Sequence, residues 1–149
     1  MDSRFETATH IFTVQGFLNK IITALQGRLV KHDQTKLQTP EVELFDEYTD
    51  KLHGVTYGSP EYNELRAKLK PALDHHYQHN RHHPEHFKNG MRDMTLVDLC
   101  ELICDWKAAS LRHADGNIRK SIEHNQARFG YSDELKQILM NTVEALEHE

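Results

Sequence analysis

Between Asp74 and Phe87 the chain reads DHHYQHNRHHPEHF, which sets His75, His76, His79, His82, His83 and His86 within twelve positions and accounts for half of the twelve histidines in the protein. Imidazole is the commonest metal ligand and the one side chain that ordinarily changes charge near neutral pH, so a cluster this dense points to metal or proton chemistry. Helical spacing puts His75, His79 and His82 on one side and His76, His79 and His83 on an adjacent side, before Pro84 turns the chain away. One ion takes roughly three to six ligands in all, so the six cannot bind together. His76, His82 and His83 are the expected ligands, and the remainder fall to outer or surface positions.

Two further groups could complete a centre. His32-Asp33 offers a neutral nitrogen and a carboxylate to one small volume, a combination that suits zinc, manganese, iron or magnesium. Alone, the pair reads equally well as a solvated helix end. Asp98, Glu101 and Asp105 follow at i, i+3 and i+7 in an apolar segment, hence on one helix face. A buried carboxylate without a partner costs several kcal/mol, so Asp105 and Glu101 need cations, donors or a metal.

The elements that must position these groups read as helices throughout. Ile11, Val14, Leu18, Ile21, Ile22, Leu25 and Leu29 form a stripe at steps of three and four, predicting one long helix from about Glu6 to Gln34 with that stripe facing a core. Thr39 and Pro40 predict a cap and first turn for a short helix through Leu44 and Leu52. A loop is expected from His53 to Gly58. Ser59-Pro60-Glu61 starts a third helix, which Pro71 should kink or restart and which should end before Pro84. Thr95 with Asp98 predicts a capping box for a helix through Leu111, apolar on nearly every side and therefore buried, with Cys100 and Cys104 as core thiols. A turn at Ala114-Asp115-Gly116 and two amphipathic helices, the last capped by Ser132, complete the chain. No segment alternates with period two. The fold class is all-α, a single-domain helical bundle of about six helices spanning residues 1–149.

With these residues in place, the chain resembles the HD-domain metal-dependent phosphohydrolase superfamily: HDxxK at His32, Asp33 and Lys36, paired histidines with a downstream acid and glycine at His82, His83, Glu85 and Gly90, and an Asp on a following helix at Asp105. It is also similar to a small uncharacterised family common in phage and bacterial genomes, through His10, HDQTK, NRHH at Asn80 to His83, and ELICDW at Glu101 to Trp106. The superfamily resemblance implies one or two divalent ions, Mn, Fe, Zn or Mg, held by His32, Asp33, cluster histidines and Asp105, with Lys36 on a substrate phosphate. It also implies an early His from a separate helix. His10 lies 22 residues before His32, about 33 Å away on a continuous helix, so the two cannot share a metal within one chain.

The net charge of -5 and scattered lysines and arginines give no footprint for nucleic acid. No apolar run approaches a membrane span, and no signal segment opens the chain, so a soluble cytoplasmic protein is expected. The leading expectation is a metal-dependent phosphohydrolase for a nucleotide-like small molecule. Lys36, Asn80 and Arg81 would contact substrate, with Lys36 also stabilising charge and Glu41 or Glu101 as proton carriers. A di-iron oxygenase and a non-enzymatic metal-binding protein are the alternatives, and the long first helix leaves a homodimer open.

Overall fold

The computed structural model describes residues 3–55, 59–112 and 116–148. Six α-helices and no strand occur among them: α1 (Ser3–Lys31), α2 (Glu41–His53), α3 (Pro60–His79), α4 (Leu96–Ser110), α5 (Ile118–Phe129) and α6 (Asp133–His148), with short 3₁₀ turns at Gln34–Leu37, Pro84–His86 and Gly90–Asp93. The protein is an all-α bundle. No described helix is long and apolar enough to cross a membrane.

The apolar core lies where α5 and α6 pack on α4. Ile103, Ile118, Ile122, Tyr131, Leu139 and Val143 are buried together, with Trp106 and Phe129 against them. Asn117 caps α5, and Gly130 ends it at a φ of 66°, a left-handed conformation that glycine adopts without a Cβ penalty. Ser132 then accepts from the Leu135 N–H to start α6. A second unit pairs α2 with α3, and α1 packs on α4.

Four expectations change. The stripe on α1 does not face a core: no residue of that helix is buried, because only its carboxyl-terminal turns approach α4. The helix α4 is not apolar on all sides in its setting, since it buries Asp98, Leu102 and Ile103 while Leu96, Cys100, Cys104 and Leu111 are exposed. Pro71 lies inside a continuous α3, where it removes one backbone bond while the buried Leu69, Ala72 and His76 hold the flanking turns. Pro40, not Thr39, occupies the cap position of α2 and supplies no side-chain cap; Thr39 donates instead to Glu43. The expected loop at His53 to Gly58 and turn at Ala114-Asp115-Gly116 fall largely outside the described residues.

Candidate metal centre

The helix α1 stops at Lys31, and Asp33 has a φ of 54°. Few residues other than glycine accept this left-handed conformation, Asn and Asp among them, and it costs roughly 1–2 kcal/mol. It has a use here. On a regular helix neighbouring side chains diverge by about 100°, and reversing the backbone at Asp33 lets His32 and Asp33 face one volume.

That volume also receives the end of α3, the segment after it, and one face of α4. The Asp33 carboxylate has one oxygen, Oδ1, 3.3 Å from His76 Nε2 and 3.4 Å from His82 Nε2. Its other oxygen, Oδ2, is 3.7 Å from His32 Nε2 and 2.6 Å from Lys36 Nζ. Asp105 stands 3.8 Å from His32 Nε2 and 3.9 Å from His82 Nε2, and His83 Nε2 is 2.9 Å from His76 Nε2. Thus His32, Asp33, His76, His82, His83 and Asp105 come together from distant segments in groups able to hold a metal ion.

The tautomers follow from what lies behind the rings. Glu101 Oε1 sits 3.0 Å from His32 Nδ1, while Glu41 takes His75 Nδ1 at 2.7 Å and His76 Nδ1 at 2.8 Å. An ionised carboxylate only accepts, so these Nδ1 atoms carry the hydrogens, which leaves Nε2 of His32 directed at Asp33 and Nε2 of His76 shared between Asp33 and His83 Nε2. Lone pairs facing a carboxylate at this range need a cation between them. Asp33 Oδ1 and both ring nitrogens of His82 are buried without a hydrogen-bond partner, the condition expected of groups waiting for an ion. His82 Nδ1 lies 3.1 Å from Glu101 Oε1 but out of line for a hydrogen bond. Around the centre, among the described residues, Asp33, Glu41, Asp98, Glu101 and Asp105 are paired with Arg28, Lys36 and Arg81 as permanent cations, so the carboxylates exceed them by two and the balance falls to imidazolium or to a bound cation.

The electrostatics agree. Burial opposes ionisation of Asp33, yet His76, His82 and Lys36 outweigh it and hold the carboxyl well below the ordinary range. Burial likewise disfavours a charged His82, but Asp33, Glu101 and Asp105 push it up to about 9. Burial and the neighbouring His82, His76 and Lys36 bring His83 down to about 3. One imidazole invites positive charge and its neighbour stays neutral; a proton on His82 and a bound cation are alternative ways to satisfy the same carboxylates.

Residues 1–146 match the family model described as a family of unknown function (DUF5662). The chain belongs to that family. No curated protein and no solved structure matches it, so family membership brings no activity with it and the chemistry rests on the site.

The residues expected to carry protons or contact substrate have partners within the chain. Glu41 is wholly buried with both oxygens against imidazoles, and Glu101 divides its oxygens between His32 and Arg28, so both orient rings. Asn80 directs its amide at the Thr35 hydroxyl and the His76 carbonyl, which positions those groups. Lys36 stays at the rim, 35% exposed. Arg81 is tied to Asp98 through Nε and Nη2 but remains 42% exposed. His75 and His79 stack on each other, His86 binds the Tyr77 carbonyl, and His10 sits exposed far along α1; none of these falls in the groups able to hold an ion. Arg28, which holds Glu101, carries no signature in the sequence because arginines are not metal ligands, and Thr35, part of HDQTK, proves to contact His76. Glu101→Gln is expected to weaken metal binding by about 10- to 100-fold or more, measured by chelator competition, since it loosens His32 and removes the charge of a carboxylate that itself forms a candidate ligand group with His32 and His82.

Proposed function

We propose that this protein is a metal-dependent phosphohydrolase of HD-domain type, acting on a phosphate ester or anhydride of a nucleotide-like small molecule. The observation that carries the reading is the meeting of His32-Asp33, His82-His83 and Asp105 in one anionic centre with a lysine at its rim. A divalent ion there would lower the pKa of a water and polarise phosphoryl oxygens.

The chain's own residues supply the rest. Lys36 Nζ pairs with Asp33 Oδ2 and faces solvent, so a phosphate oxygen can take the place of that partner and leave the ammonium against developing negative charge. A cleft of about 420 Å³ walled by charged and polar side chains opens beside the centre, among them Arg28, Lys31, Thr35, Asn80, Arg81 and Glu101. Its cationic rim suits a phosphorylated ligand, and Asn80 and Thr35 brace the buried His76 at its floor.

Protein loaded separately with Mg, Mn, Zn or Fe and offered nucleoside mono- and triphosphates should release phosphate with at least one metal. Lys36→Met should lower kcat by about 100-fold while metal content is unchanged. Stoichiometric metal without phosphate release from any substrate would defeat the hydrolase reading. Because Asp33 presents its two oxygens to different imidazoles, the centre also has room for a pair of irons; oxygen uptake by the iron-loaded protein would select an oxygenase instead.

A further inference from the structure

The stripe on α1 that meets α4 at Leu25 continues through Ile22, Ile21, Leu18, Val14 and Ile11, where no described residue covers it. Leu18 is 52% exposed, Ile22 50% and Leu29 80%. Phe5, Phe12, Phe17 and Val30 are exposed as well, roughly 100–140° round the helix from that stripe, so they flank the apolar face rather than belong to it.

A matching surface lies at the other end of the same helix. Leu25 and Leu29 of α1 and Cys104 and Ala108 of α4 wall an open, mainly apolar cleft of about 400 Å³ whose inner edge is His32, Glu101 and Asp105. Leu96, Cys100 and Leu111 extend the exposed apolar face of α4 beyond it.

We propose that two copies of this chain pair through α1 in antiparallel fashion, each free amino-terminal arm lying along the other's α1–α4 cleft. Pairing Ile11 with Leu29 and Leu18 with Ile22 keeps both stripes in contact over their whole length and satisfies two-fold symmetry, in which each contact occurs twice. A parallel pair covers the arms but leaves both clefts in water. The antiparallel pair roofs the apolar cleft beside the metal centre and leaves the charged-walled cleft open, so the partner helix would form one wall of each site. The pairing stands whether or not the centre binds metal, because none of the contacts uses a ligand.

The test is the solution mass by light scattering at high micromolar concentration. Twice 17.4 kDa is expected for the wild type and a single chain mass for Leu18→Glu/Ile22→Glu, with helicity retained because neither residue is buried within the chain and a lower melting temperature because association no longer stabilises the folded chain. A wild-type monomer, or a dimer that survives the double substitution, would overturn the proposal. Direction is read in a Cys100→Ser/Cys104→Ser background with a short bismaleimide. Leu18→Cys should cross-link, since its two copies are offset by four residues or about 6 Å along the axis, and Ile11→Cys should not, at an offset of about 27 Å. Cross-linking at both positions would show a parallel pair and sink the arrangement.

Discussion

Asp33→Asn is expected to abolish stoichiometric metal binding while leaving the helical fold in place. Asn tolerates the left-handed backbone that ends α1 almost as well as Asp, so the turn that aims His32 inward survives. The charge that faces His32, His76 and His82 does not survive. Loss of a shared anionic ligand should exceed the roughly 10- to 100-fold penalty of an outer partner, and elemental analysis of purified protein, beside His82→Ala, measures it. A second readout is thermal: metal at 100 times its dissociation constant stabilises a folded protein by about 2.7 kcal/mol, so wild type should melt higher on loading and Asp33→Asn should not. Equal metal content in wild type and both variants, with helicity retained, would remove the basis of the hydrolase and oxygenase readings alike.

The residues that converge on the centre were legible as candidates in the sequence because metal chemistry restricts residue types severely. A His-Asp pair at a predicted helix end, a His-His pair beside a Pro and an Asp on an apolar helix are unusual choices for surfaces, and each landed in the same volume. Roles were less legible than positions. Glu41 and Glu101 could be recognised as site carboxylates, but which side of an imidazole a carboxylate occupies depends on backbone direction at the ends of α3 and α4, which spacing does not encode. The helices themselves followed from period and caps, including the complete capping box at Thr95 and Asp98. What periodicity misplaced was burial. A stripe reports that a face is to be covered, without saying whether the same chain covers it, and α1 and α4 both carry faces that this chain leaves open.

The largest loss of stability is expected from Asp98→Ala. The wholly buried carboxylate accepts from Arg28 Nη2 at 2.8 Å, from Arg81 Nε and Nη2 at 3.2 and 3.1 Å, and from the Thr95 N–H and hydroxyl at 2.9 and 2.8 Å. One side chain thereby joins α1, the segment after α3 and the start of α4. Removing one member of a buried charge network costs about 3–5 kcal/mol, and partial exposure of both arginines places this case near the lower end. About 3 kcal/mol corresponds to a melting temperature roughly 6–12 °C lower for a chain of this size. The acid limb provides a separate check. Burial raises the Asp98 pKa, but Arg81, Thr95 and Arg28 overcome it and hold it at about 2. With a folded value below the ordinary carboxylate value, its stabilising contribution of about 2 kcal/mol is complete above pH 4 and disappears as pH falls through 2. The gap in unfolding free energy between wild type and Asp98→Ala should therefore be widest near neutral pH and narrow between pH 4 and 2 in denaturant melts; a gap that does not change over that interval would rule out the charge as its source. Because Arg28 also grips Glu101, which orients His32, the same substitution should loosen metal binding, so the clamp that holds the helices together also sets the aim of a ligand.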